Sequence, residues 1–273
     1  EPVRMETVIG KKGKNQLVFK NLALSKQAAF TVEKSDIIFQ LKEFLEKELE
    51  QYKLTSLFQN IEIPLLSVLT DMELEGIRLD TKFLDSLSSE LNSDIKALES
   101  SIYKEAEMEF NLASPKQLGD VLFAHLQLVE KPKKTKTGQF ATGEEILSKL
   151  ASKHPIVKNI LTWRGLVKLK NTYIDALPNE VNKKTGKIHT TYSQAVAATG
   201  RLSSNNPNLQ NIPIRTERGR QVRKAFVPRS AEYTLVAADY SQIELRIIAA
   251  LSKDESMIAS FQRGEDIHAA TAS

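Results

Sequence analysis

Apolar residues recur at helical spacing near the start of the chain. Between residues 33 and 52 they lie one, three and four positions apart among charged residues, which predicts a helix with one buried face. The apolar set of this helix is Ile37, Ile38, Leu41, Phe44, Leu45 and Leu49. A second helix is predicted from Pro64, a residue type favoured at the first helical position, to Gly76, which ends it. The opening part of the chain is therefore predicted to be helical.

The most regular apolar pattern begins after Asp80, a predicted N-cap, and stays close to a heptad repeat for nearly three heptads. Its apolar positions are Phe83, Leu84, Leu87, Leu91, Ile95, Leu98 and Ile102. A second long apolar pattern runs from Pro155 to Leu177. We expect two long helices that pack antiparallel and form an arm.

The segment between the two long helices is predicted to form the tip of the arm. Ser114-Pro115 predicts the start of a short helix, and Thr142 with Glu145 matches a capping box at the start of another. The loop between them, KPKKTKTG at residues 131–138, is basic. Such a loop is usually solvated surface, so a role in phosphate binding depends on where the arm places it. Its lysines are Lys131, Lys133, Lys134 and Lys136.

After Pro178 the pattern changes to short runs typical of strands: IHTTY, RKAFVP and YTLVAAD, the last of which ends at Asp239. Ser241 and Glu244 then match a capping box at the start of a further helix. The predicted fold class is α+β, with a mostly helical part of long antiparallel helices followed by part of an antiparallel sheet.

Composition and charge narrow the function classes. The net charge of +4 and the pI near 9.0 permit a polyanionic partner, but the excess is too small to identify one. The absence of cysteine excludes disulfide scaffolds and thiolate metal sites. Without a long apolar window or a signal-peptide pattern, we expect a cytoplasmic protein that makes no membrane contact.

Asp239 has two interpretations from its position alone. It is either a polar residue that ends a strand, or a hard oxygen ligand of the kind that Mg²⁺ prefers. The local pattern is compatible with both, since strand-to-helix junctions often carry acidic residues.

The polar segment GRLSSNNPNLQNIP is a candidate for contact with DNA. Its amide and guanidinium groups match the acceptors that every base pair presents in the minor groove, although such a segment also forms loops that bond to themselves. Arg164 and Lys168 are four residues apart on one predicted helix face, and their charges suit backbone phosphates. The donors of the polar segment include Arg201, Asn205, Asn206, Asn208 and Gln210.

The two motifs DYSQIELR and GRLSSNNPNLQNIP resemble the family A DNA polymerases, and the resemblance extends over essentially the whole chain. It implies a three-part organisation. Residues 1–60 would be the end of a 3′–5′ exonuclease-like domain, residues 61–178 a helical thumb, and residues 179–273 the first part of the polymerase palm. The implied activity is primer extension with deoxynucleoside triphosphates on template DNA by two-metal phosphoryl transfer.

The resemblance also implies site residues. Asp239 would be a catalytic carboxylate that binds two Mg²⁺ ions together with the carbonyl of Tyr240, and Glu244 would exclude the ribose 2′-hydroxyl. The implied contacts to primer–template DNA are Arg164, Lys168, Arg201, Asn205, Asn208 and Gln210. The implied contacts to the incoming nucleotide are Arg215, Gln242, Glu244 and His268. Taken alone, His268 is equally well explained as a surface or capping histidine.

Departures from the family pattern limit these expectations. The exonuclease motif pairs a tyrosine with an aspartate, but the corresponding FTVEK has Phe30 and Lys34, so we expect no proofreading. The family's fingers helix and second catalytic carboxylate are not found in the sequence, so the chain alone is expected to be inactive and to need a C-terminal half. The alternative is a non-catalytic DNA-binding or interaction module.

Overall fold

A computed structural model gives the fold of residues 2–265. The chain divides into two units, residues 1–226 and residues 227–273. The helices of the first unit are α1 (Met5–Ile9), α2 (Leu24–Gln51), α3 (Thr55–Leu57), α4 (Ile63–Glu75), α5 (Thr81–Ala106), α6 (Pro115–Gly119), α7 (Glu144–Ser148), α8 (Pro155–Leu169) and α9 (Glu217–Arg223). Those described in the second are α10 (Ile243–Ser252) and α11 (Glu255–Gln262). The strands are β1 (Ile77–Leu79), β2 (Lys187–Ile188), β3 (Thr191–Ser193), β4 (Ser203–Asn205) and β5 (Phe226–Val227).

Helices α2 and α4 confirm two sequence predictions and correct a third. Pro64 lies at the start of α4, and Gly76 ends it with a φ of +61°. A Cβ at Gly76 would lie 2.7 Å from the carbonyl oxygen of Ile188, so both φ and space favour glycine. The buried face predicted for α2 is wrong, because no residue of α2 is buried and Ile38 is 70% exposed. The described residues place no second layer over its apolar side chains.

The two long helices of the predicted arm are α5 and α8, and they pack antiparallel. Ser88, near the start of α5, donates a hydrogen bond of 2.8 Å to Asp175, which lies beyond the end of α8. Toward the other end of α5, Glu99 accepts from the Trp163 indole at 2.9 Å. Helix α8 continues beyond Leu169 as one π-helical segment (Lys170–Ile174), which keeps the apolar face of Tyr173 and Ile174 buried.

Two apolar clusters hold the first unit together. One lies at the tip of the arm, where the C-terminal half of α5 meets the N-terminal half of α8 around Ile102, Leu122 and Ile160, all 0% exposed. The other joins the opposite end of the arm to the small sheet and includes Leu84, Leu91 and Ile188, which are also 0% exposed. The second cluster therefore connects the arm to the small sheet within the first unit.

The N-cap predicted at Asp80 is confirmed, since its carboxylate accepts a hydrogen bond of 3.0 Å from the backbone N–H of Phe83. We expect Asp80→Ala to lower the free energy of unfolding by about 1 kcal/mol, because the first turn of α5 loses this acceptor. Asp80→Asn keeps an acceptor and serves as the control. Urea unfolding followed by circular dichroism measures both, and an equal loss in the two variants would contradict the capping role.

The sheets are small and antiparallel. One has the strand order β2-β1-β5, with Ile77 opposite Ile188, and the other pairs β3 with β4, with Tyr192 opposite Ser204. The partial antiparallel sheet predicted from the sequence is thus confirmed. The strand predicted for YTLVAAD is wrong, because residues 233–239 are exposed and form no ladder with any part of the chain that the structure describes. A strand requires backbone hydrogen bonds to a neighbouring strand, and the composition of YTLVAAD does not show whether such a neighbour is present.

One of the two capping predictions in the tip is confirmed. Ser114 accepts a hydrogen bond of 3.4 Å from the N–H of Gln117 at the start of α6. The capping box predicted for Thr142 and Glu145 is wrong, because the N-cap of α7 is Gly143, which has no side-chain oxygen to accept a hydrogen bond. Thr142 therefore lies outside the helix, where it is buried and bonded to Arg164.

Within residues 2–265, no helix is both long and apolar enough to span a bilayer.

Candidate nucleic-acid interface

Arg164 and Lys168 lie one turn apart on α8, as predicted, but their surroundings differ. Lys168 is exposed. Arg164 is partly buried, and its guanidinium donates to the carbonyl oxygen of Thr142 and, at 3.4 Å, to the Thr142 hydroxyl. Burial lowers the pKa of Arg164, and the negative charge of Glu144 opposes this shift. Lys168 thus offers its charge to solvent, whereas Arg164 also connects α8 to Thr142, the residue before the N-cap of α7.

A groove of about 680 Å³ runs along this part of α8 and the segment that leads into α9. Lys168 and Gly165 line it on the helix, while Asn211 and Thr216 line it from the opposite side. Thr216 accepts a hydrogen bond of 3.1 Å from the N–H of Gly219 and so caps α9. Exposed Lys168 therefore stands at the edge of a concave surface rather than on an isolated helix.

The polar segment folds as a loop that follows β4 and bonds extensively to itself. Asn205 lies in β4, and its amide donates to neighbouring groups of β3 and β4 at 3.4 Å. The Gln210 side chain accepts from the N–H of Ser204 and donates to the carbonyl of Leu202, both at 3.0 Å. The side-chain amide oxygen (Oδ1) of Asn208 accepts a hydrogen bond of 2.9 Å from the backbone N–H of Gln210.

These bonds fix which way the amides point. The side-chain oxygen of Asn208 accepts a backbone N–H, which identifies its NH₂ group as the donor that remains for other partners, and Asn208 is exposed. Arg201 is also exposed and lies two residues before β4. The side-chain oxygen and the NH₂ group of Gln210 both bond within the polar segment, so Gln210 stabilises this segment as well as being a candidate contact. The self-bonded loop and a surface of donors are therefore compatible.

The remaining candidate of the first unit is Arg215, which lies just before α9. Its side chain is exposed, and its carbonyl oxygen accepts from the guanidinium of Arg220 at 3.1 Å. The lysines of the tip loop are exposed as well, and Lys134 stacks over the Phe140 ring at 5.3 Å. Positive charge thus lies both at the tip and beside α9.

In the second unit, Asp239 and Tyr240 are exposed and lie in a segment without regular secondary structure, shortly before α10. The predicted capping box is wrong here, because Gln242 adopts a left-handed conformation with φ of +52° and becomes the N-cap. This shift moves Glu244 to the second helical position, where it is exposed and cannot close a box with Ser241. Instead, the carbonyl oxygen of Ser241 accepts from Arg246 at 2.9 Å.

Helices α10 and α11 hold the second unit together. The Arg246 guanidinium lies 4.5 Å from the centre of the Phe261 ring, and Asp254 caps α11 by accepting from Met257 N–H at 2.9 Å. The candidate residues Asp239 and Glu244 thus flank the start of a helix that has its own tertiary support. His268, the last nucleotide-binding candidate, lies outside the described residues.

Comparisons with known proteins bear on all these candidates. Residues 81–273 match the model of DNA polymerase family A. The chain belongs to this family. DNA polymerase I of Chloroflexus aurantiacus is 48% identical over 100% of the chain, and DNA polymerase I of Geobacillus stearothermophilus is 46% identical over 100%. The chain spans 29% and 30% of the lengths of these two family A polymerases.

A solved family A structure has the same fold. It is the polymerase domain of Pol1 from M. smegmatis in complex with a DNA primer–template and dNTP. This neighbour is 43% identical, with a TM-score of 0.78, and the match covers 88% of the chain and 42% of that domain. The α+β fold class and the resemblance found in the sequence are both confirmed.

The donor chemistry of this family A chain suits Mg²⁺ at Asp239. A carboxylate and the neighbouring carbonyl of Tyr240 are hard oxygen ligands, and Mg²⁺ commonly takes one or two carboxylates and completes its shell with phosphate and water. Within residues 2–265 no group of three acidic or histidine side chains could hold a metal ion. These two oxygen groups would therefore fit the ion only as one part of a larger set.

Sequence reasoning missed two residues that organise the candidate surface. Thr142 anchors Arg164, and Thr190 contacts the polar loop through a buried hydroxyl. The spacing of Thr142 in TGEE predicted a capping box instead, and nothing in IHTTY distinguishes Thr190 from Thr191, so only the tertiary contacts reveal these roles.

Proposed function

We propose that this family A chain supplies the duplex-binding arm and the first part of the catalytic centre of a DNA-directed DNA polymerase. The observation that carries the proposal is the likeness, at 43% identity, to a polymerase domain in complex with primer–template and dNTP. The exonuclease-like part would comprise residues 1–60, the thumb residues 61–178 and the palm segment residues 179–273. The activity would be cytoplasmic.

The arm and the polar loop would hold the duplex. Lys168 and Arg164 would contact phosphates from α8, and Arg201, Asn205, Asn208 and Gln210 would face the minor groove. Minor-groove acceptors are shared by all base pairs, so donors there sense pair geometry without reading sequence. Such a division suits an enzyme that must accept any correctly paired primer end.

The second unit would serve the nucleotide. Asp239 and the Tyr240 carbonyl would hold Mg²⁺, which supplies charge stabilisation to a transferring phosphoryl group when bound. Glu244, in the first turn of α10, would crowd the sugar and exclude ribonucleotides. Gln242 and His268 would contact the triphosphate, and so would Arg215, which belongs to the first unit. A C-terminal half would complete the centre with the second carboxylate.

A segment exchange tests this proposal. In the hybrid polymerase, residues 1–273 replace the aligned segment of the Geobacillus stearothermophilus enzyme, which is 46% identical over 272 residues. We expect Mg²⁺-dependent primer extension by the hybrid, because the segment would contribute equivalent duplex and metal contacts. A hybrid that folds and binds primer–template without extending it would contradict the catalytic role and favour a binding module.

We expect substitutions of Lys168 and Arg164 to differ in their effects on DNA binding and on protein stability. We expect Lys168→Ala to reduce the slope of log affinity for duplex DNA against log salt by about 0.9, the effect of one lost phosphate contact. Arg164→Ala should also lower the free energy of unfolding by about 1–3 kcal/mol, because the buried Thr142 oxygens lose their donor. Fluorescence anisotropy in a salt series and urea unfolding measure these effects. Equal stability losses in both variants would contradict the assignment.

A further inference from the structure

The polar loop is tied to the core through two buried hydroxyl groups. The Thr190 and Ser204 hydroxyl oxygens are 2.6 Å apart, and these residues are 7% and 0% exposed. Thr190 lies between β2 and β3, two residues after Ile188, which is fully buried in the core. Ser204 lies in β4 at the start of the loop. The pair therefore joins a rigid part of the first unit to the loop that presents Asn208.

Backbone groups around the Thr190 and Ser204 hydroxyls limit the directions in which the two hydroxyls can donate hydrogen bonds. The N–H of Leu209 can only donate, and it lies 3.1 Å from the Ser204 hydroxyl oxygen. The carbonyl of Pro207 can only accept, and it lies 2.8 Å from the Thr190 hydroxyl oxygen. The shortest contacts give one order, in which Leu209 N–H donates to Ser204, Ser204 donates to Thr190 and Thr190 donates to Pro207. The Thr190 hydroxyl also lies 3.0 Å from the carbonyl oxygen of Asn205, and the Ser204 hydroxyl lies 3.3 Å from that of Pro207, so either hydroxyl can be the donor within the pair. In either order the two hydroxyls form a relay that bridges the backbone of residues 207 and 209.

The relay bonds to the backbone on both sides of the exposed residue Asn208. Asn208 lies between the two backbone groups that the relay holds, and its oxygen is fixed by Gln210 N–H. Because Asn208 is exposed, the placement of its side-chain amide depends on the backbone on either side of it, which the two buried hydroxyls hold. A shift of Pro207 and Leu209 would move this donor away from any duplex that the loop contacts.

We propose that Thr190 and Ser204 are positioning residues that hold the polar loop in the geometry required for primer–template binding. This inference rests on the proposed function, because it assigns the loop a DNA-contacting role. Neither residue touches DNA in the proposal; each acts through the backbone on either side of Asn208. Thr190 in particular supplies no charge, so its effect differs in kind from that of Lys168.

The test compares Thr190→Val with Thr190→Ser and Thr191→Val in the hybrid polymerase. Valine keeps the shape of threonine but removes the hydroxyl, serine keeps the hydroxyl, and exposed Thr191 is the matched neighbour. We expect Thr190→Val to weaken primer–template binding about tenfold, as the loss of a buried hydrogen bond with both partners left unmatched implies. Thr190→Ser should restore binding to within about twofold of the parent, and Thr191→Val should have no effect. Ser204→Ala should reproduce the tenfold loss.

The salt dependence distinguishes positioning from general damage. We expect the salt slope of Thr190→Val to equal that of the parent, because no phosphate contact is lost. At saturating primer–template, the maximal extension rate should stay within about twofold of the parent, since the defect is in duplex binding. Binding by Thr190→Val equal to that of Thr191→Val would overturn the inference, as would a loss that Thr190→Ser fails to restore. If the parent hybrid binds duplex but does not extend it, the proposed function fails while the binding comparison still decides the role of Thr190.

Discussion

Asp239→Ala in the hybrid polymerase is expected to reduce primer extension by about a thousandfold or more. A metal ion contributes several kcal/mol of charge stabilisation, and each ~1.4 kcal/mol changes a rate about tenfold. Duplex affinity should change little, because Asp239 lies in the second unit, outside the arm and the polar loop of the first. Single-turnover extension and anisotropy of a labelled primer–template measure the two effects separately.

The matched control for Asp239 is Asp254, an acidic residue of the same unit that caps α11. We expect Asp254→Ala to keep extension and to lose about 1 kcal/mol of stability. Asp239→Asn should behave like the alanine variant, because an amide has the shape of the carboxylate but lacks its charge. Full extension by Asp239→Ala, or an equal loss of duplex affinity and rate, would refute the metal-ligand role.

Ile160→Ala is expected to lower the free energy of unfolding of the arm by about 2–5 kcal/mol. Ile160 is 0% exposed in the cluster at the tip of the arm, so alanine removes buried apolar volume and leaves a cavity. The loss should appear in urea unfolding followed by the fluorescence of Trp163, the single tryptophan, which lies in the same cluster.

Ile38→Ala provides the comparison for Ile160, because Ile38 carries the same side chain but is 70% exposed. We expect a change within about 0.5 kcal/mol for this exposed site. If the two variants lost similar stability, the apolar face of α2 would be buried in solution, and the sequence prediction of a buried face would regain support.

Local signals explain most of what the sequence predicted correctly. Asp80 caps α5, Pro64 and Gly76 bracket α4, and five of the seven heptad-like apolar positions of α5 are buried, with Phe83 and Leu98 partly buried. Each of these features depends on residues within a few positions of one another. Such signals act before distant parts of the chain meet, and they survive in the tertiary structure when nothing competes with them.

The failed predictions concern features that neighbouring residues do not fix. YTLVAAD has a strand-like composition, yet a strand needs a partner elsewhere in the chain. Thr142 and Glu145 have capping-box spacing, yet Thr142 accepts a hydrogen bond from Arg164 of a different helix and does not cap α7. At Ser241 the left-handed Gln242 moves the start of the helix and breaks a pattern that spacing alone supports.

By itself, the sequence determined the family of this protein, the order of its long helices, the starts of α5 and α8, and the identity of its candidate site residues; the start of α2 at Leu24, nine residues before the predicted one, it did not. The reason is that motifs, caps and apolar periodicity are local properties of the chain. Only the tertiary structure decided that Arg164 is anchored and Lys168 is exposed, and that Thr190 and Ser204 fix the polar loop. Burial and hydrogen bonding between segments far apart in sequence arise only when those segments pack together.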